Sequence, residues 1–266
     1  MLDVEFSQLT DPGRVRSHNE DYLGHVAPDS PHRVRSHGWL FALADGVGGQ
    51  RQGEVASRAA IQEVLAGFRR APAMAPHKEV MTNLVRAANA RVCETEALAG
   101  PSGAGMASTI VASALRFDRA TVAHVGDSRC YLIRNGKARA ITRDHTVAAE
   151  QVRIGVLSAK EAAGVATRHV LSRSLGAGLF VNVEIDEVQL QAGDVLLQCS
   201  DGLYGGVSDG EIAEHVTRNS DLEAAARELV ETANELDGSD NVSVQLVRVK
   251  SVERMGMYRG RPYKLR

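Results

Sequence analysis

Cysteine is scarce in this chain: Cys93, Cys130 and Cys199 are its only thiols, odd in number and never paired as Cys-x-x-Cys. Neither a disulfide framework nor a zinc site is expected from them; they read as reduced thiols of a cytoplasmic protein. Aromatic residues are also few, at 4%, and there are only 7 prolines. No apolar stretch approaches the roughly 18 residues a membrane span needs. The opening MLDVEFSQLTD has neither a basic segment nor a long apolar one, so a secretory leader is not expected. No internal repeat of about 20–50 residues is evident, which argues against a solenoid or propeller. What is present is apolar mass. Hydrophobic residues fill 44% of 266 positions, enough to exclude a disordered or collagen-like chain.

Net charge is −2, but it is unevenly spread. From Arg248 to Arg266 seven basic residues face one acid, Glu253, so this stretch is +6 and residues 1–247 carry −8. An acidic body argues against nucleic-acid binding. The basic tail reads as a solvated terminus or as a docking strip for an acidic partner.

Three segments have helical periodicity: Ile61, Val64, Leu65 and Phe68; Val80, Leu84, Ala88 and Val92; and Leu222, Ala225, Ala226, Leu229, Val230 and Ala233. Ser208 and Glu211 predict a capping box that starts another helix. The prolines of RRAPAMAPH, residues 69–77, predict a connection between two antiparallel helices. Strand patterns occupy STIVASALRF, ATVAHVGDS, RCYLIRNGKARAIT, VEIDEVQL, DVLLQCS and NVSVQLVRV, with a type I′ hairpin signal at Asn135-Gly136. The order is strands, a helix pair, strands, a second helix pair and a last strand. That is not βαβ alternation; it predicts an α+β fold, and strands apolar on both faces predict a two-sheet sandwich with helices outside.

The acids have a pattern of their own. WLFALA runs into Asp45-Gly46, TVAHVG into Asp127 and DVLLQCS into Asp201-Gly202. Asp240 immediately precedes the last strand, and Glu20 and Asp21 precede another apolar start. One Asp-Gly is ordinarily a turn, as expected of Asp209-Gly210 and Asp237-Gly238. Neighbouring strand ends in a sandwich lie about 4.7–10 Å apart, so repeated strand-end acids would be gathered together. Two carboxylates 4 Å apart repel by about 4 kcal/mol at an effective dielectric of 20, so the group needs a cation or shared protons. Carboxylate ligands without His or Cys suit Mg²⁺ or Mn²⁺, and Gly46 allows its carbonyl to approach as a further ligand. Such ions activate water against phosphorus. Arg16, four residues before Glu20, is placed to grip a phosphate.

In order along the chain, TDPGRVRSHNED, FALADGVGG, MASTIVASAL, AHVGDSRCYLIRNGK, TRDHT, SRSLG, LLQCSDGL and SDNVSV resemble the motifs of PP2C-type (PPM) metal-dependent serine/threonine protein phosphatases, with the bacterial stand-alone catalytic domains the best match. The resemblance runs from about Thr10 to Val249. It implies a phosphatase domain over 1–249, a flap at about 146–175 and a basic tail over 250–266. It implies an antiparallel β-sandwich flanked by helix pairs, with a binuclear Mn²⁺/Mg²⁺ centre at one end. Carried over, Asp45 bridges both metals, the Gly46 carbonyl binds one, and Asp201 and Asp240 complete the other's ligands. Glu20 and Asp21 ligate or hold metal-bound waters, Asp127 holds a third, weaker ion, Arg16 grips the phosphate and Asn241 supports the site. The implied reaction is direct attack on phosphorus by a bridging water, with no phosphoenzyme, on phosphoproteins produced by a Ser/Thr kinase. Thiol phosphatases use Cys-x5-Arg, and the sixth residues after the three cysteines are Ala99, Gly136 and Gly205.

The chain departs from that pattern in places. DGVGGQ stands where DGMGGH is common, so Gln50 removes a titratable group and leaves the proton donor unassigned; His18 is expected to fill a turn. The flap carries no Asp, which weakens the third metal. His124 is expected in the core and His145 as a turn anchor. Two rival readings are a non-catalytic phosphoprotein-binding module, disfavoured because Asp45, Asp201 and Asp240 are all present, and a phosphoesterase for small molecules or phosphotyrosine.

Overall fold

The computed structural model describes residues 1–47, 52–100, 105–258 and 261–264, with side chains described as far as residue 254. Two antiparallel sheets lie face to face. The first runs in the order β1 (Asp3–Asp11), β11 (Val242–Ser251), β10 (Val195–Cys199), β7 (Arg129–Arg134) and β8 (Lys137–Ala140). The second runs β2 (Asp21–Val26), β3 (Trp39–Val47), β5 (Ile110–Arg116), β6 (Arg119–Val125) and β9 (Glu184–Gln189), with the short β4 (Ala107–Ser108) on the end of β3. The turn between β7 and β8 has Asn135 at φ 52° and Gly136 at φ 70°, the pair of left-handed residues that a type I′ hairpin demands.

Helices cover both outer faces. α2 (Gln52–Arg70) and α3 (His77–Ala99) lie on the second sheet, and α7 (Asp209–Arg218) and α8 (Leu222–Leu236) on the first. Ser208 and Glu211 form the expected capping box at the start of α7. Four short helices complete the set: α1 (Pro31–Ser36), α4 (Val147–Arg153), α5 (Ala159–Ala162) and α6 (Asp201–Tyr204). α4, α5 and a 3₁₀ turn at Ala166–His169 occupy the segment expected to be a flap, and isolated bridges join Thr146 to Leu171 and Ser108 to Leu175. A hairpin of β12 (Met255–Tyr258) and β13 (Arg261–Lys264) follows β11. Of the basic residues counted from Arg248 onward, Arg248 and Lys250 reach Glu5 at 2.7 and 3.9 Å, and the side chains beyond Arg254 lie outside the described residues.

Because strand side chains alternate between faces, this layering produces three apolar cores. Leu40, Ala42 and Ala44 of β3 face Ile61, Val64 and Val85 of the α2–α3 pair. Leu197, Val244 and Leu246 face Leu229 and Val230 of α8. Phe41, Leu43, Val111, Leu196 and Val247 fill the space between the sheets. These are the predicted α+β sandwich and its helix pairs. The edge strand β1 was not foreseen. Its burial is mixed, because only one side has a ladder partner and one inward residue is Gln8.

The layer between the sheets changes character along the strands. Leu196 of β10 is followed on the same face by Gln198 and then Ser200; on β11, Val247 gives way to Gln245 and Ser243. Gln198 donates to Ser113 Oγ at 2.6 Å, and Gln245 donates to Gln8 Oε1 at 2.9 Å. Beyond these amides, at the same end of the sandwich, stand the acids.

Candidate metal centre

Strand register gathers the acids. Asp21, the first residue of β2, lies directly opposite Asp45 near the end of β3. Asp201 opens α6 just after β10, and Asp240 sits two residues before β11, the strand paired with β10. Asp127 lies where the chain crosses from β6 in one sheet to β7 in the other. Asp45 feels the charges of Asp21, Asp201, Asp127 and Asp240 together, and carboxylates crowded in this way need protons or a cation among them.

The electrostatics are those of crowded like charge. Asp21 is pushed up to about 7 by burial, although Ser243 and Ser200 hydroxyls oppose the shift and Asp201 and Asp240 add to it. Asp45 rises well above the carboxylate range through burial and then through Asp21, Asp201, Asp127 and Asp240. Asp127 reaches about 7 through burial and Asp201. Asp201 and Glu20 are also raised, burial leading in both. Arg16 donates from Nη2 to Asp240 Oδ2 at 2.7 Å while 51% of its side chain stays exposed.

Small groups fix these positions. Asn241 Oδ1 accepts the Glu20 N–H at 2.8 Å, and its Nδ2 donates to the carbonyls of Pro12 and His18, each at 3.0 Å. One amide thereby ties the whole Pro12–Glu20 loop to the start of β11. Ser57 of α2 donates to the Glu20 carbonyl at 2.6 Å. A Cβ on Gly46 would stand 2.1 Å from the Gly53 carbonyl oxygen, and one on Gly53 would stand 2.9 Å from Glu20 Cδ. Only two glycines let α2 come this close to the site. Below Asp127, Arg129 forms a two-pronged pair with Asp144 at 2.8 and 2.7 Å, its guanidinium lying 3.5 Å over the Tyr204 ring; Tyr204 in turn donates to the Asp127 carbonyl at 2.9 Å.

The residues fit hard divalent ions. The candidate ligands that meet here are carboxylates and a carbonyl, and Asp21 Oδ1 is buried with no hydrogen-bond partner. A different group, His124, His145 and Glu184, also brings donor atoms within 4.8 Å of one another. Its imidazoles are stacked, 4.6 Å apart and 13° from parallel. Lone pairs lie in the ring plane, so two parallel rings cannot both aim at one ion at the 2.0–2.1 Å of a metal–imidazole bond. His145 Nδ1 instead accepts the Gly126 N–H at 3.1 Å, and His124 is fully buried against the Arg143 carbonyl. They are the turn anchor and core histidine expected.

All six sequence-predicted acids, Arg16, Gly46 and Asn241 thus meet at one end of the sandwich. Gln50 lies outside the described residues. His18 lies in the bend between β1 and β2, its ring exposed and hydrogen-bonded to Ser17 at 2.7 Å. The sequence reading missed Ser200, which donates to Asp21 Oδ2 at 2.8 Å. It also missed Thr109, which accepts the Asp45 N–H at 2.9 Å, and His169 of the flap, whose Nδ1 lies 3.7 Å from Asp201 Oδ2. Adjacency to Asp201 was the one available signal for Ser200.

Comparison with known proteins agrees with this geometry. A family model described as protein phosphatase 2C matches residues 14–248. A serine/threonine phosphatase of Listeria innocua is 33% identical over 258 residues, which cover 95% of this chain and 96% of that protein. The Mycobacterium tuberculosis serine/threonine phosphatase PstP/Ppp superposes with a TM-score of 0.83 at 31% identity, covering 94% of this chain and 100% of that one. The catalytic domain of PstP crystallised in complex with two manganese ions gives 0.80 at 31% identity, over 94% and 99%. With a family model over most of its length and relatives matched nearly end to end, the chain belongs to the protein phosphatase 2C family of serine/threonine protein phosphatases.

Proposed function

We propose that this chain removes phosphate from phosphoserine and phosphothreonine of proteins by direct hydrolysis, opposing a cytoplasmic Ser/Thr kinase, and that it does so with two Mn²⁺ or Mg²⁺ ions. The observation that carries the reading is the meeting of Asp21, Asp45, Asp201 and Asp240 from both sheets, with Asp21 opposite Asp45 in the strand register and Asp201 and Asp240 raising the proton affinity of both. Asp45 and the Gly46 carbonyl, Asp201 and Asp240 would hold the ions, with Glu20 and Asp21 beside them and Asp127 for a third. When bound, the ions supply charge neutralisation at the phosphoryl oxygens and a water acidic enough to ionise near neutral pH.

The chain's own residues do the rest. Arg16, held at Asp240 by one nitrogen and otherwise half exposed, is oriented to take phosphate oxygens at the mouth of the site. Asn241 keeps the Arg16–Glu20 loop against the ligands. The thiols are poor nucleophiles: burial pushes Cys130 up to about 12 and raises Cys199 further, and burial and then Glu96 raise Cys93 on α3. Among the described residues no helix is long and apolar enough to cross a membrane.

The test is hydrolysis of p-nitrophenyl phosphate and of a phosphothreonine peptide. Activity is expected with Mn²⁺ and its loss with EDTA; metal-independent turnover would overturn the reading.

A further inference from the structure

The flap delivers one imidazole to the carboxylates. His169 closes the 3₁₀ turn at Ala166–His169, and its Nδ1 lies 3.7 Å from Asp201 Oδ2. Its other nitrogen is engaged: Arg168 Nε donates to His169 Nε2 at 2.7 Å. An arginine N–H can only donate, so Nε2 presents its lone pair and the proton of the neutral ring sits on Nδ1. The N–H is therefore on the nitrogen nearer the site. At 3.7 Å it is beyond hydrogen-bond range of the carboxylate, and half of the side chain (51%) is exposed. Arg16 stands at Asp240 with the same exposure. The two neighbouring acids thus each have one exposed donor beside them, one from the loop before β2 and one from the flap.

A phosphomonoester dianion has three non-bridging oxygens and one ester oxygen, and a guanidinium engages two at most. We propose that His169 donates its Nδ1–H to an oxygen of the phosphoester, so that the flap contributes a substrate-binding residue to the site. The inference rests on the phosphatase reading. It concerns a position with no counterpart in the motif residues described above, and it gives the flap a chemical part in holding phosphate.

The position of the donor nitrogen makes the idea testable. An asparagine places its amide nitrogen near where Nδ1 was; a glutamine carries it one methylene further. With Mn²⁺ and a phosphothreonine peptide, His169→Ala is expected to raise KM about tenfold with kcat within about twofold. His169→Asn should recover most of that loss and His169→Gln little. Mn²⁺ affinity by calorimetry should be unchanged in all three, which separates this effect from one transmitted through Asp201. Long-range ¹H–¹⁵N spectra of the wild type should show the Nδ1–H tautomer, with that nitrogen shifting when inorganic phosphate is added in Mg²⁺. An unchanged KM in His169→Ala, equal recovery by Asn and Gln, or an Nε2–H tautomer would overturn the inference alone. A wild-type protein inert toward the peptide in Mn²⁺ would overturn the phosphatase reading with it.

Discussion

A carboxyl group tolerates one like neighbour poorly, and Asp45 has four: Asp21, Asp201, Asp127 and Asp240. The proton affinity that results is the property a divalent ion exploits, since it replaces protons with a larger charge. Substitution should therefore separate charge from shape. Asp201→Asn or Asp240→Asn keeps the volume and removes one anionic ligand; turnover should fall at least a hundredfold while the far-UV CD spectrum stays native. Full activity in either would contradict its assignment as a ligand. Arg16→Ala should act differently, mainly raising KM for phosphate esters, and an unchanged KM would refute its grip on phosphate. The acids were readable in the sequence because an Asp or Asp-Gly that ends an apolar run is conspicuous when it recurs. Ser200, Thr109 and His169 were not. A hydroxyl near a strand end costs little and signals nothing, and the flap around His169 has no hydrophobic period to place it.

Among the elements, α3 starts under electrostatic constraint. His77, its first residue, is 9% exposed and donates from Nε2 to the His37 carbonyl at 2.8 Å, tying the helix to the turn before β3. Burial, then the nearby Arg116 charge, lowers its pKa to about 4 from 6.5. Between those values the unfolded chain binds the proton that the folded one refuses, so the contribution of His77 to stability rises with pH across this window and is lost on acidification. The difference at the acid end is on the order of 3 kcal/mol. Because Asp21 and Asp127 act with the opposite sign in the same window, His77→Gln should make the slope of the urea midpoint between pH 4 and 6.5 more negative in the metal-free protein; an unaltered slope would show that His77 carries no such contribution. Elements with a full apolar stripe, such as α2 and α8, were legible from spacing alone. β1 was not, because an edge strand with an inward glutamine lacks clean alternation. Nor was α1, six residues with only Val34 and Ser36 buried, too short to show a period.

At the scale of the whole molecule, the cluster sets the protein's response to metal and pH together. Without a metal, burial and the neighbouring carboxylates push Asp21 and Asp127 up to about 7, against about 3.9 in an unfolded chain. The folded state then holds more protons between those values, so this contribution to stability is complete below about pH 4 and is lost as pH rises through 7. Mn²⁺ should accordingly raise Tm little at pH 5 and strongly at pH 8, relative to EDTA, in a thermal-shift series. The same increment at both pH values would refute the linkage. The graded layer between the sheets explains how a crowd of carboxylates is tolerated at this end. A carboxylate there rests on serine hydroxyls and then on glutamine amides before any hydrocarbon is reached, so permittivity falls stepwise along β10 and β11 and not at a single boundary. The sandwich is in effect an insulator with one polarisable cap: ions can be received at that cap, and their field meets a dry, unresponsive body beneath it.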